Sequence, residues 1–328
     1  MSRTAAAHDA QHAQQAQEPS LGLFSPSGVV LRPPLLRLAA RRLAALGFAV
    51  TIDEAALARA QRFAGDDDMR LAAIHRVARA APRVAMATRG GYGLTRLVDR
   101  IDYRLLARAA ERGTMWLGHS DFTALHCALF ARTGAAGWAG PMALDQFGRS
   151  DEEGGVDEVT AGCLGEAARG ELEAIGFRTE PGFDGLARRG LLWGGNLAML
   201  CSLLGTRHFP RPEQVKGGIL YLEDVNEHPF RVERRLLQLV QAGVVGTQRA
   251  LLLGHFTNHK PMPVDRGYRL RSVVEYLRAA TPVPILTGLP AGHVPTLVTL
   301  PFGRRAELLV DGRDAFVAWG HRRAAEAR

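Results

Sequence analysis

The sequence predicts an α/β protein built from two domains, and three observations support this fold class. Short apolar runs alternate with amphipathic stretches of about 10 to 15 residues, the pattern of parallel strands joined by crossover helices. The chain has 328 residues, which is about twice the usual length of one domain. Its composition, 47% hydrophobic and 23% charged, is that of a globular chain and excludes a disordered or collagen-like one.

The first domain is predicted to span residues 20–145. It follows a tail at residues 1–19 that is rich in Ala and Gln and is expected to be disordered. The predicted strands are Leu21–Phe24, Phe48–Ile52, Val84–Ala87 and Thr114–Leu117. Predicted helices lie between them, at Leu35–Leu46, at Met69–Ala81 and in the residues before Arg112. This alternation predicts a parallel sheet.

Residues 146–185 begin with a polar, glycine-rich stretch, and we interpret them as a connection between the domains. The second domain, residues 186–328, is again α/β with a more mixed sheet. Its predicted strands are Leu191–Trp193, Gly218–Leu222, Arg249–Leu253, Val283–Leu286 and Ala306–Val310. Its predicted helices are Asn196–Leu204, Phe230–Ala242 and Arg271–Ala280.

The net charge of +8 first suggests a nucleic-acid partner. Only Lys216 and Lys260 are lysines, so 39 of the 41 basic residues are arginines. The arginines are spread along the chain and alternate with Ala and Leu at helical spacing, as on the solvated face of an amphipathic helix. Aromatic residues for base stacking make up only 7% of the chain. We therefore expect no nucleic-acid partner.

The sequence also bears on the compartment. No apolar stretch approaches the roughly 18 residues of a membrane-spanning helix, and the first twenty residues lack the apolar block of a signal peptide. The cysteines Cys127, Cys163 and Cys201 are widely separated and form no CxxC pair, which fits a reducing compartment. We expect a cytoplasmic protein without membrane contact.

Ser120 is the first candidate catalytic residue. In Gly118-His-Ser-Asp-Phe-Thr123 a predicted strand runs into Ser120, and Asp121 opens a helix. A serine on such a turn exposes its hydroxyl and directs the next backbone N–H at an oxyanion. Phe122 replaces the glycine usual two residues after the serine. The alternative interpretation is a helix N-cap.

Two further strands end in residues that can act with a serine. Tyr221-Leu-Glu-Asp-Val-Asn-Glu-His228 brings Glu223 to a strand end, where a carboxylate can orient a histidine, although this cluster also suits a helix N-cap. Gly288-Leu-Pro-Ala-Gly-His293 places His293 in a loop, where an isolated histidine is commonly exposed and idle. Read along the chain, the three sites give Ser, Glu and His, a known order of nucleophile, acid and base.

Ligand loops and metal sites are the remaining alternatives. In Arg89-Gly-Gly-Tyr-Gly93, a backbone N–H of Gly90 or Gly91 can serve as the second oxyanion donor. The chain contains neither G-x-G-x-x-G nor G-K-S/T, which argues against a phosphate loop. His255 and His259 are four residues apart, but neighbouring glycine and proline favour a loop and no Glu lies between them, which argues against a zinc site.

Taken together, these motifs resemble the serine-type L,D-carboxypeptidase family. The matching stretches are Ser25-Pro-Ser-Gly28, Phe63-Ala-Gly65 with Arg70, Arg89-Gly-Gly-Tyr-Gly93 with Arg96, Gly118-x-Ser-Asp-x-Thr123, Gly194-Gly-Asn196, Gly205-Thr206, Ile219–Glu227 with Arg234, and Gly292-His293 near Pro301-Phe-Gly303. They follow the family's order from residue 21 to about residue 303. The resemblance implies an N-terminal flavodoxin-like domain, a smaller C-terminal α/β domain, and an active site at their interface.

The resemblance also implies roles for individual residues. Ser120 would be the nucleophile, His293 the general base and Glu223 the acid that holds the base. The N–H groups of Asp121 and Gly91 would bind the oxyanion. We expect substrate contacts from Arg89, Gly90, Tyr92, His119 and Asn196; His119 stands where the family usually has Tyr or Phe. No metal or cofactor is implied.

The implied activity is removal of the terminal D-Ala from the murein tetrapeptide L-Ala-γ-D-Glu-meso-diaminopimelate-D-Ala during peptidoglycan recycling, by a homodimer. A sister branch hydrolyses peptidyl or aminoacyl nucleotides of the microcin C type and gives self-immunity. A third hypothesis, outside the enzyme class, is a two-domain ligand-binding protein with an inactive site.

Overall fold

The computed structural model describes residues 18–320, which form two β-sheets flanked by helices. The predicted α/β class is confirmed. Of the tail predicted at residues 1–19 to be disordered, residues 1–17 lie outside the described residues, as do residues 321–328. Within residues 18–320, no helix is both long and apolar enough to cross a bilayer.

The N-terminal sheet has six strands within residues 18–320. They are β1 (Ser20–Phe24), β2 (Ala49–Ile52), β3 (Val84–Ala87), β4 (Met115–Gly118), β5 (Gly137–Ala139) and β11 (Leu300–Phe302). The first five are parallel in the order 2-1-3-4-5, one of the common orders of doubly wound sheets. Strand β11 joins β5 in the antiparallel direction from far along the chain.

Four helices accompany these strands, and each of the first three begins with a recognisable signal. They are α1 (Pro33–Ala45), α2 (Asp67–Ala80), α3 (Tyr103–Glu111) and α4 (Thr123–Thr133). Two prolines open α1, and side chains of Asp66 and Asp102 accept backbone N–H bonds at the starts of α2 and α3. Helix α4 is almost wholly buried, because it lies between the two sheets.

The C-terminal sheet has seven strands within the described residues. They are β6 (Ala174–Arg178), β7 (Ala187–Asn196), β8 (Ile219–Val225), β9 (Ala250–Thr257), β10 (Ile285–Thr287), β12 (Arg304–Asp311) and β13 (Asp314–Ala318). Strands β7 to β10 pair in parallel, whereas β12, β13 and β6 add antiparallel pairs. Its helices are α6 (Leu197–Leu203), α7 (Pro212–Val215), α8 (Pro229–Gln241) and α9 (Leu270–Ala280).

The segment at residues 146–185 contains more structure than the interdomain connection expected from its composition. It includes helix α5 (Glu158–Arg169), begun by the side chain of Asp157, and the edge strand β6. Strand β6 pairs with β13, which follows it by more than 130 residues. Its edge position explains the weak sequence signal: side chains alternate between buried and exposed over only five residues.

The two sheets are joined through α4 and β11. Asn196, at the end of β7, donates its backbone N–H to Thr123 Oγ1 on α4 at 3.0 Å. A Cβ at Gly195 would lie 2.5 Å from the same hydroxyl oxygen, so only glycine allows this approach. The carboxyl ends of β4 and β8 therefore face the same crevice, and one apolar core cluster extends through both domains.

Candidate active site

Ser120 lies where strand β4 turns into helix α4. Its φ angle is +60°, in the left-handed region that residues with a Cβ rarely adopt. Its side chain caps neither the short 3₁₀ turn Ser120–Phe122 nor α4, which removes the N-cap interpretation. A strained strand-to-helix turn of this kind presents its central side chain at the carboxyl edge of the sheet.

The carboxylate of Asp121 fixes this turn to two other loops. Asp121 is fully buried, and its Oδ2 accepts hydrogen bonds from Ser27 Oγ at 2.6 Å and from the Leu94 N–H at 3.0 Å. Burial raises the pKa of Asp121, and these two hydrogen bonds oppose the rise. The loop after β1, the glycine loop after β3 and the Ser120 turn are thereby held together.

The glycine loop lies directly against Ser120. A Cβ built on Gly90 would lie 2.8 Å from Ser120 Cβ and 2.9 Å from its Oγ, so no larger residue fits without displacing the serine. The carbonyl oxygen of Gly90 accepts a 3.2 Å bond from the Gly28 N–H, which fixes the loop. Gly91 follows with a φ angle of +111°, and it lines the same pocket as Ser120, described below.

His293 faces this edge from the second domain, where its Nδ1 lies 3.0 Å from Glu223 Oε2. Because a carboxylate oxygen only accepts, Nδ1 carries the proton and Nε2 keeps a lone pair. Burial lowers the pKa of His293, but the hydrogen bond to Glu223 and the charges of Glu223, Asp145 and Asp224 outweigh burial and leave the pKa raised. No hydrogen bond joins Ser120 and His293 among the described residues.

Irregular backbone at the end of β8 and after β10 brings this pair together. The register of β8 against β9 shifts between Leu222 and Asp224, a bulge that turns the Glu223 side chain. A Cβ at Gly292 would lie 2.9 Å from the His255 carbonyl oxygen and 3.4 Å from Glu223 Cβ. Glycine at that position thus lets the His293 loop pack against the strand that carries Glu223.

His119, a predicted substrate contact, is buried beside the base. Its ring meets the His293 ring edge-on, with the ring centroids 4.9 Å apart. His119 Nδ1 lies 3.0 Å from the Gly140 carbonyl oxygen, so Nδ1 is the protonated nitrogen. Burial first, and the charge of His293 second, lower the pKa of His119. His119 is therefore a neutral neighbour of His293.

The other predicted contacts have different environments. Arg89 lines the Ser120 pocket, donates to the Val29 carbonyl oxygen at 3.2 Å and forms no ion pair within the described residues. Tyr92 does not line this pocket; it is exposed on the outer surface, with its ring packed against Phe63. Asn196 lines the pocket, but its amide caps helix α6 through the Met199 N–H and donates to Asp224 Oδ1.

The pocket between the domains has a volume of about 720 Å³ and is lined mainly by polar residues. Besides Ser120 and His293, its lining includes residues to which the sequence analysis gave no role, which are Arg62, Asp145, Gln146, Arg149, Asn226, Asn258, Val294 and Pro295. Asn226 and Asn258 carry a detectable signal, because each directly follows a parallel strand. Both have φ angles near +60°, which asparagine tolerates better than most residues.

The histidine pair considered for zinc is not preorganised as a site. His255 lies within strand β9 rather than in the loop expected from Gly254 and Pro261, and its side chain is exposed. Within residues 18–320, no group of three or more His, Cys, Asp and Glu side chains is placed to hold a metal ion.

Comparison with known proteins gives a family for both halves of the chain. Residues 21–140 match the LD-carboxypeptidase N-terminal domain, and residues 189–308 match the LD-carboxypeptidase C-terminal domain. A probable murein peptide carboxypeptidase of Bacillus subtilis is 29% identical over 304 residues, which cover 92% of each chain.

Solved structures agree with the family match. The crystal structure of muramoyltetrapeptide carboxypeptidase from Oxalobacter formigenes is 34% identical, with a TM-score of 0.82 over 92% of this chain and 99% of that one. MccF in complex with glutamyl sulfamoyl guanosine gives a TM-score of 0.80 at 20% identity, over 92% of this chain and 96% of MccF. At that identity, the second likeness concerns the fold alone.

Proposed function

The chain belongs to the LD-carboxypeptidase family, and from this premise we propose that it is a serine L,D-carboxypeptidase that removes the terminal D-Ala from murein tetrapeptides. The observation that carries the proposal is the position of Ser120. It occupies a left-handed turn against the glycine loop, in the pocket that also contains His293, whose other ring nitrogen is held by Glu223.

The reaction would begin with attack of Ser120 Oγ on the carbonyl carbon between diaminopimelate and D-Ala. A serine hydroxyl needs a base, because it is a weak nucleophile at its own pKa. His293 Nε2 would take the hydroxyl proton and pass it to the departing D-Ala amine. Water, activated by the same nitrogen, would then hydrolyse the acyl-enzyme.

The negative charge that develops on the carbonyl oxygen must be stabilised by hydrogen-bond donors at the Ser120 turn. The backbone N–H of Asp121 follows the nucleophile, the usual place of one oxyanion donor. The glycine loop supplies the second donor in this proposal, with Gly91 as our choice. Asp121 supports both donors, because its carboxylate fixes the glycine loop to the Ser120 turn.

The Ser120–His293 hydrogen bond would form when substrate fills the pocket. Catalytic hydrogen bonds are often long before substrate binds and shorten in the complex. The hydrogen bond from Nδ1 to Glu223 leaves the lone pair on His293 Nε2 free to accept the serine proton.

A carboxypeptidase must also recognise the free carboxylate one residue beyond the scissile bond. Arg89 precedes Gly90, which lies against Ser120, and its guanidinium forms no ion pair among the described residues. A guanidinium there is suited to a carboxylate. We assign this role to Arg89.

The remaining finer assignments belong to the same proposal. The parallel strand order 2-1-3-4-5 supports a flavodoxin-like N-terminal domain, residues 20–145. The second domain is proposed at residues 186–328, and the segment 146–185 that joins the two also supplies strand β6 of its sheet. A tetrapeptide substrate of this kind is the product of wall turnover, which fits a cytoplasmic recycling enzyme. We also propose that the protein acts as a homodimer, with no nucleic-acid or membrane partner and with no metal or cofactor.

The test is incubation of the purified protein with murein tetrapeptide, followed by measurement of free D-Ala. We expect release by the wild type and a loss of at least about 10⁴-fold in kcat for Ser120→Ala. Ser202→Ala, which alters an exposed serine on α6, is the matched control and should retain full activity.

The same assay separates the alternatives. Hydrolysis of an aminoacyl sulfamoyl adenosine without release of D-Ala would assign the chain to the immunity branch instead. Tight binding of tetrapeptide without any turnover, unchanged in Ser120→Ala, would favour an inactive binding protein.

A further inference from the structure

A small cavity, separate from the pocket that contains Ser120 and His293, lies beside Glu223 and His119. Its volume, counted as space open to the centre of a water molecule, is about 10 Å³. Leu297, Val298 and Leu300 contribute apolar walls, and the polar lining residues include His119, Tyr221 and Glu223. The space is close to the minimum of about 10–15 Å³ that one ordered water needs.

Three residues that line this cavity each carry a buried polar atom without a hydrogen-bond partner among the described residues. These atoms are His119 Nε2, Tyr221 Oη and Glu223 Oε1. Tyr221 and Glu223 are two residues apart on strand β8, and both line the cavity. A buried polar atom left unpaired costs about 1–3 kcal/mol, so three around one cavity require an explanation.

The donor and acceptor properties of these atoms are complementary to a single water molecule. Glu223 Oε1 accepts, and His119 Nε2 accepts because Nδ1 holds the proton that faces the Gly140 carbonyl. Tyr221 donates, since burial raises the pKa of its hydroxyl far above the ordinary value. Water offers two donors and two acceptor lone pairs, of which one suffices here, and two to four polar partners are the usual number for a buried water.

We propose that this cavity is a binding site for one structural water, which donates hydrogen bonds to Glu223 Oε1 and His119 Nε2 and accepts one from Tyr221. Tyr221 and His119 are then positioning residues that act on Glu223 through the water. With Oε2 held by His293 and Oε1 by the water, the carboxylate has one orientation. This inference deepens the proposed function and rests on it for its kinetic consequence.

The first arm of the experiment is a crystal structure of the wild-type protein at a resolution that shows ordered water. We expect one water within hydrogen-bond distance of all three atoms. An empty cavity, or a Tyr221 hydroxyl bonded to protein instead, would overturn the proposal. This arm needs no activity, so it stands whether or not D-Ala is released.

The second arm compares Tyr221→Phe with the wild type in tetrapeptide hydrolysis over a range of pH. Without the tyrosine donor the water is lost, the charge on Glu223 is less dispersed, and the pKa of His293 rises further. We expect a several-fold fall in kcat with little change in KM, and an acidic limb of kcat/KM displaced to higher pH. The charged or titratable groups that influence His293 otherwise, Asp145, Asp224 and His119, are unchanged.

Tyr103→Phe is the matched control, because it removes another buried tyrosine hydroxyl, which donates to the Val98 carbonyl oxygen at 2.6 Å in the N-terminal domain. It should change stability without moving the acidic limb. A limb and kcat that are the same in Tyr221→Phe as in the wild type would overturn the positioning role. A wild type that releases no D-Ala would instead contradict the proposed function, and the crystallographic arm would still decide the water site.

Discussion

His293 Nδ1 and Glu223 Oε2, 70 residues apart in the chain, are joined by a hydrogen bond of 3.0 Å. Glu223 is almost fully buried, whereas the His293 side chain keeps 20% of its surface exposed. The carboxylate therefore acts on the pocket only through the imidazole. This arrangement fixes the tautomer of His293 and raises its pKa, and both effects can be tested separately from the serine.

Glu223→Gln should move the acidic limb of the activity profile to lower pH. His293 accepts a proton from Ser120 only when it is neutral, so activity falls as the pH drops below its pKa. The substitution removes the hydrogen-bonding charge that raises this pKa, and burial, which lowers it, remains. We also expect kcat to fall by roughly 10³-fold or more, because the imidazolium loses its partner.

The measurement for this prediction is kcat/KM for D-Ala release between pH 5 and 9. Glu275→Gln provides the control, since Glu275 is exposed on α9 and pairs with Arg271 at the surface. A limb that stays in place in Glu223→Gln would show that the carboxylate does not set the pKa of the base.

Gly90→Ala should reduce kcat sharply while leaving the fold intact. The new methyl group would lie 2.8 Å from Ser120 Cβ and 2.9 Å from its Oγ, closer than real contacts allow, so the serine or the glycine loop must move. A displacement of about 1 Å at a reacting group costs roughly 10²-fold in rate. Gly246→Ala is the control, because a Cβ there meets nothing within 4 Å. Normal kcat in Gly90→Ala would show that the loop does not contact the nucleophile.

The local sequence patterns predicted the strands and helices that end at the pocket. Short apolar runs such as Val84–Ala87 form fully buried parallel strands, and the strand ends locate Ser120, Glu223 and His293 at one crevice. These signals are strong because parallel strands buried on both faces need continuous apolar residues. The roles of the three residues remain predictions.

Strand pairings between distant parts of the chain could not be predicted from the sequence, because no local residue pattern determines which strands become neighbours. The segment 146–185 contributes β6 to the second sheet, and β11 returns to the first sheet, although both are only three to five residues long. Asn196 lines the pocket and its substrate contact stays a prediction, but the sequence did not reveal that its amide also caps α6. Tyr92 belongs to the glycine loop, but its exposed side chain packs against Phe63 instead of lining the pocket.

Arg89→Met should weaken substrate binding more than catalysis. Loss of a guanidinium that pairs with the substrate carboxylate removes about 1.5–3 kcal/mol, which corresponds to a rise of about 10- to 100-fold in KM. Arg89→Lys should recover part of the affinity, because it keeps the charge but not the two-pronged geometry. Arg108→Met, at an exposed arginine of α3 outside the pocket, should leave KM unchanged. Equal KM values in wild type and Arg89→Met would assign the carboxylate to another residue.

Asp121→Ala should lower both stability and kcat although the predicted nucleophile and the backbone N–H of residue 121 remain. The substitution leaves the buried hydroxyl of Ser27 and the N–H of Leu94 without an acceptor, at a cost of about 2–4 kcal/mol. The glycine loop also loses its link to the Ser120 turn. Asp121→Asn should restore much of both properties, because its amide oxygen can replace Oδ2 in both hydrogen bonds.

Thermal unfolding and D-Ala release, measured on the same preparations, separate the two effects of Asp121. If the side chain only stabilises the fold, Asp121→Ala will regain wild-type kcat at a temperature well below its midpoint of unfolding. If it positions the oxyanion donors, kcat will stay low there and will recover in Asp121→Asn. We expect the second result, because Oδ2 of Asp121 accepts hydrogen bonds from Ser27, in the loop after β1, and from Leu94, directly after the glycine loop. The same glycine loop lies against Ser120 through Gly90.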